Sequence, residues 1–163
     1  MLIIGYGNPD RADDAAGLLV ARRLRELGVD AHEHGGEALA LIETWSAAPE
    51  VILIDAVMTG APPGTITLWD AGTEPLPPDR FRCSTHALGL AEAVELARVL
   101  GRLPPKLLIY GIEAMNFDRF GTLSPGVAEA VGRLARRIAQ RVAGPQARTA
   151  MPARSSRGST RSS

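Results

Sequence analysis

Residues 51–55, the run VILID, narrow most what this chain can fold into. Four branched aliphatic side chains in a row leave no polar face. A strand of this kind has to be covered on both sides, which places it in the middle of a parallel sheet with helices packed on each face.

The remaining segments fit that frame. Residues 1–6 (MLIIGY) form a second apolar run, closed by Gly5 and Gly7. Residues 12–27 read as a helix with Ala16, Val20, Leu24 and Leu27 in one stripe and Gly28 as its stop. A further strand is expected over 29–34 and a short helix over 38–46. Residues 65–69 alternate and predict a strand, and 106–110 (KLLIY) predict another after Pro104 and Pro105. The link from Asp55 to Thr65 is too short for a helical crossover, so these two strands are expected to be antiparallel if they are neighbours. Ser84 or Thr85 is expected to cap a long helix reaching about Leu100, with Leu90, Ala93, Val94 and Ala97 inward. Ser124 followed by Pro125 starts a last helix to about Arg141. The expected fold is a three-layer α/β/α domain, phosphorylase/hydrolase-like, with a twisted, mostly parallel mixed sheet of about five strands.

The 163 residues fit one domain, assigned to 1–143. The stretch 144–163 holds four arginines (Arg148, Arg154, Arg157, Arg161), no acid and almost no large apolar residue, and reads as a disordered basic Ser/Arg-rich tail. Without it the chain carries 14 basic against 18 acidic residues, about −4 net. An acidic body argues against a nucleic-acid surface, which needs clustered cations. One cysteine, Cys83, allows no internal disulfide. The opening residues lack a basic leader and are too short for a membrane span, so a cytoplasmic protein without membrane contact is expected.

In such a sheet, function gathers beyond the carboxyl ends of the strands. There the sequence places Asp13 and Asp14 after the first strand, Asp55 at the end of the third, His86 at the start of a helix, and Glu113 and Asn116 after the last strand. Asp13 and Asp14 are explained as well by the positive end of a helix dipole as by a site. Asp55 is harder to explain away, because a carboxylate at the mouth of the core is costly without a partner. Two carboxylates and an imidazole (Asp14, Asp55, His86) suit a divalent metal such as nickel, zinc or iron and leave coordination positions open. Gly5-Tyr6-Gly7 is similar to a dinucleotide fingerprint, but position 10 is Asp where the third glycine is needed. His32 and His34 read as a solvated edge strand, and Cys83 as a structural thiol.

Five blocks, in order, resemble the hydrogenase maturation proteases: Gly5-Tyr6-Gly7-Asn8-Pro9 with Asp13-Asp14, Ile54-Asp55-Ala56-Val57, residues 84–90 (STHALGL), Tyr110-Gly111-Ile112-Glu113, and Leu123-Ser124-Pro125. The resemblance covers about residues 1–142. It implies an endopeptidase that removes a C-terminal peptide from the nickel-loaded precursor of a [NiFe] hydrogenase large subunit. It also implies that Asp14, Asp55 and His86 contact the metal and serve catalysis. Nickel is then presented by the substrate, other divalent metals are able to occupy the site, and the protein acts as a monomer. Asp10, Ala15 and Ala87 depart from the family pattern, where an apolar residue, Gly and Gly are usual. Two other readings remain open at this point: a non-catalytic metal-checking or chaperone module for hydrogenase assembly, and a nucleotide-handling α/β enzyme.

Overall fold

The computed structural model describes residues 1–81 and 89–144. β1 (Leu2–Tyr6) leads through a 3-10 turn (Ala12–Ala15) into α1 (Ala16–Glu26). Then come β2 (His32–His34), α2 (Ala38–Trp45), β3 (Glu50–Val57), β4 (Ile66–Asp70), α3 (Leu90–Val99), β5 (Lys106–Glu113) and α4 (Pro125–Ala143). The strands lie in the order β2-β1-β3-β5-β4. All neighbours are parallel except β4, which runs against β5.

β3 is central, and every residue from Val51 to Val57 is buried. Its pleat splits the core in two, as the period of two requires. Val51, Leu53 and Val57 pack with α2 and α3 through Leu41, Trp45, Leu90 and Val94. Ile52 and Ile54 pack with α1 and α4 through Val20, Leu24, Leu134 and Ile138. This is the expected three-layer α/β/α arrangement with a mostly parallel mixed sheet of five strands. Asp55 has the parity of Leu53 and Val57, so it projects from the α2–α3 side.

The structure corrects several details. β3 and β4 do run in opposite directions, but the condition of adjacency is not met: β5 pairs with β3 over eight residues, and β4 runs antiparallel on the far side of β5. Asp13 and Asp14 lie in the 3-10 turn before α1, not in its first turn. Leu27 is 44% exposed rather than part of the stripe, because α1 stops at Glu26 and the chain turns away at Gly28, whose φ is +79°. α3 begins only at Leu90, with Gly89 as its extended N-cap. The proposed caps Ser84 and Thr85, together with Cys83 and His86, lie outside the described residues, as does the tail beyond residue 144. Ser124 does occupy the N-cap position of α4, yet its side chain makes no capping bond.

Candidate active site

Glycine decides how closely the first turn approaches the sheet. A Cβ on Gly17 would stand 2.3 Å from the carbonyl oxygens of both Ile54 and Tyr6, and one on Gly5 would stand 2.0 Å from the Gly17 carbonyl oxygen. Backbone therefore meets backbone where α1 crosses the ends of β1 and β3. A Cβ on Gly7 would likewise lie 2.0 Å from the Asp14 carbonyl oxygen. These approaches press the turn carrying Asp14 against the strand end carrying Asp55. The Gly5 and Gly7 pair thus has a packing function here.

Asp14 and Asp55 are each 5% exposed. One oxygen of Asp55 accepts the backbone N–H of Ala56 at 2.8 Å. Burial, and secondarily the Asp14 carboxylate, push the Asp55 carboxyl well above its ordinary pKa. The two carboxylates are thus near enough for the charge of Asp14 to act on Asp55. Arg11, one turn before Asp14, lies 3.5 Å from it, and its guanidinium also stacks 5.5 Å from the centre of the Phe117 ring.

His86 lies outside the described residues, so the third member of the trio is not placed. Among the described residues no group of three His, Cys, Asp or Glu side chains is arranged to hold a metal. The chain on either side of residues 82–88 is fixed. The Met58 N–H, one residue beyond β3, donates to the Arg80 carbonyl at 3.2 Å. A Cβ on Gly89 would stand 3.6 Å from the Phe81 carbonyl oxygen. The chain therefore leaves and re-enters the described structure at one place, near the end of β3.

Two acids that the sequence left in the background have clear roles. Asp13 is fully buried. One of its oxygens accepts the Ser124 N–H at 2.7 Å. The other accepts the N–H groups of Met115 and Asn116 at 2.9 and 2.8 Å and the Ser124 hydroxyl at 2.7 Å. Burial is the largest single influence on its carboxyl and acts upward. The bonds from Asn116, Ser124 and Met115 together outweigh it, leaving the pKa below its ordinary value. Glu113, 4% exposed, accepts the N–H and hydroxyl of Thr59 and the N–H of Gly60, and so holds the link that follows β3. An acid that ends an apolar strand was a visible signal for Glu113. The partners of Asp13 are distant in the chain and had no local signal. Asn116 supports its own loop, accepting from the Asp118 N–H and donating to the Thr122 carbonyl. His32 and His34 lie on the edge strand β2, with His32 exposed. Met58, Met115 and Phe120 are exposed on the links that leave the carboxyl ends of β3 and β5.

A family model described as hydrogenase maturation protease matches residues 19–141. The chain belongs to the hydrogenase maturation protease family. Among its relatives, the hydrogenase expression/formation protein HupD of Thiocapsa roseopersicina is 28% identical over 137 residues, which make up 80% of this chain and 62% of that one. The chain thus spans about three fifths of the length of that relative. The crystal structure of a [NiFe] hydrogenase maturation protease, HycI, from Thermococcus kodakarensis KOD1 superposes with a TM-score of 0.67 at 27% identity, over 85% of this chain and 88% of that one. The hydrogenase maturating endopeptidase HybD from E. coli gives 0.69 at 23% identity, over 88% and 93%, and so shares the fold. Asp14 precedes the stretch matched by the family model, while Asp55 and His86 fall within it.

Proposed function

We propose that this member of the hydrogenase maturation protease family is the endopeptidase that removes a C-terminal peptide from the nickel-loaded precursor of a [NiFe] hydrogenase large subunit. One observation carries the reading. Two nearly buried carboxylates, Asp14 and Asp55, lie within electrostatic reach of each other at the carboxyl side of a parallel sheet, where burial and the charge of Asp14 make ionising Asp55 costly. A divalent cation brought by a substrate relieves that cost. Nickel belongs to the substrate in this scheme, and oxygen ligands with one imidazole suit it.

Asp14, Asp55 and His86 reach towards the seated nickel and hold the scissile bond beside it. Support for His86 comes from the family motif and from Arg80 and Gly89, which bring the chain back to the end of β3. Without metal the precursor offers no cation to span the two carboxylates, so an empty precursor docks poorly and stays uncut. The discrimination is differential binding of loaded over empty substrate. Hydrolysis of the peptide bond needs a proton acceptor for the attacking water. Burial and the Asp14 carboxylate raise the proton affinity of Asp55, which favours it as the acceptor of that proton. The chemistry is then that of an aspartic-type endopeptidase. We place the reaction in the cytoplasm and assign it to a monomer. Among the described residues no helix is long and apolar enough to cross a membrane.

The test is to mix purified protein with nickel-loaded and nickel-free precursor and to measure the mass of the large subunit. A loss of the C-terminal peptide from the loaded form alone is expected. If the loaded precursor keeps its full mass but is still bound, the protein is a metal-checking module and the peptidase reading is wrong.

A further inference from the structure

We propose that Asp13 is a positioning residue of this site, a buried anion that locks the Asp14 turn to the β5–α4 connection. The inference rests on the reading that Asp14 and Asp55 grip the metal of the substrate. Asp13 is fully buried and so touches no substrate itself. Its own N–H donates to the Asn116 carbonyl at 2.9 Å, while its carboxylate collects four donors from Met115, Asn116 and Ser124. A second tie runs the same way, from the Phe120 N–H to the Asp10 carbonyl at 2.7 Å. Residues 10–14 are therefore tied to the 115–124 connection at both ends of the turn.

The chemistry of the cradle selects an ionised carboxylate. Both oxygens of Asp13 face N–H or O–H donors, so both must accept. An amide in the same place has to turn its NH2 group towards a donor, either the Ser124 N–H or the trio on the other oxygen. One contact then becomes repulsive, and the turn has to shift to relieve it. Asp14 is the next residue, so a shift in the turn is passed directly to it. Partners that orient ligands in this way typically contribute about 10- to 100-fold to metal affinity or activity.

The experiment compares wild type, Asp13→Asn, Ser124→Ala and Ile138→Val. Ni(II) alone is titrated by calorimetry, and cleavage of the nickel-loaded precursor is measured as separate kcat and KM values. A purely structural role for Asp13 reduces the number of folded molecules. It lowers the binding stoichiometry and the apparent kcat but leaves the Ni(II) Kd and KM unchanged. The positioning role predicts unchanged stoichiometry with the Ni(II) Kd weakened about tenfold or more and a raised KM. Ser124→Ala removes one of the four bonds and leaves three in place, so it should weaken Ni(II) binding by about two- to threefold, less than Asp13→Asn. Ile138→Val, a core change in α4 away from the cradle, should leave Kd and KM unchanged. If Asp13→Asn does not fold, Ser124→Ala against Ile138→Val decides. Equal Kd values for those two variants, or a wild-type Kd in folded Asp13→Asn, overturn the inference. If wild type neither binds Ni(II) nor cuts the loaded precursor, the functional reading fails instead.

Discussion

Gly17→Ala adds one methyl group, yet it tests how the site is assembled. The new Cβ would lie 2.3 Å from the carbonyl oxygens of Ile54 and Tyr6, where ordinary contact begins at 3.4 Å. Neither oxygen is able to swing aside, because both belong to the backbone of strands in the middle of the sheet. The start of α1 must retreat by about 1 Å, and the turn bearing Asp14 goes with it. Overpacking of this kind costs about 1–3 kcal/mol, and contact with backbone on two sides argues for the upper end. For a chain of this size about 3 kcal/mol lowers Tm by about 6–12 °C. A misplacement of about 1 Å at a reacting centre costs about 100-fold in rate. Gly132→Ala is the control, with its new Cβ no closer than 3.5 Å to the Arg136 guanidinium, in ordinary contact. There the same methyl group should stabilise α4 by about 0.8–1 kcal/mol. The assays are thermal unfolding by circular dichroism and release of peptide from the nickel-loaded precursor, run well below the lowered Tm. If Gly17→Ala melts and cleaves like wild type, the close approach of backbones does not set the distance between the two carboxylates.

Asp55→Asn should abolish cleavage and stabilise the metal-free protein at neutral pH. The folded pKa of Asp55 is raised by burial and by Asp14, so its stabilising contribution is complete below the ordinary carboxylate range and is lost as pH rises through the raised value. The wild-type Tm should therefore fall relative to that of Asp55→Asn across that window, and a lower Tm for the variant at pH 7 would contradict the assignment. His86→Ala should keep the wild-type Tm within a few degrees while losing cleavage; a normal processing rate removes His86 from the site. Glu113→Ala takes away the acceptor for Thr59 and Gly60 and should cost about 2–3 kcal/mol. Hydrogen exchange should then speed up over residues 58–64, and unchanged protection there would show that Glu113 is dispensable for the loop.

The layers were legible because burial on both faces leaves a continuous apolar run, as in VILID, and burial on one face leaves a helical stripe, as in Ala16, Val20 and Leu24. Strand neighbours were less legible. Nothing local in residues 51–69 says that β5, far along the chain, inserts between β3 and β4. The described α3 starts after Gly89, a cap residue that composition does not single out from Ser84 and Thr85, which lie outside the described residues. Ser124 is the most instructive case. Its place before Pro125 marked the end of the loop correctly, yet its hydroxyl serves Asp13 rather than its own helix.

That exchange also explains how far the site could be read. Asp55 was visible because a charged residue closing an apolar run is conspicuous, although β3 itself continues to Val57. Asp13 and Asp14 are adjacent acids with the same local surroundings, and the helix-dipole argument treats them alike. The fold separates them. Asp13 turns inward to four donors from residues 115–124, and Asp14 turns to the rim beside Asp55 and Arg11. Their division of labour depends on which donors β5 and α4 bring to the turn, and only the closed sheet specifies those. A pair of like residues in which one is saturated by hydrogen bonds and the other faces a second carboxylate is thus a tertiary signal. Its saturated member carries no reactive burden, and in the proposed scheme it anchors the turn that holds the nearly buried Asp14 near Asp55.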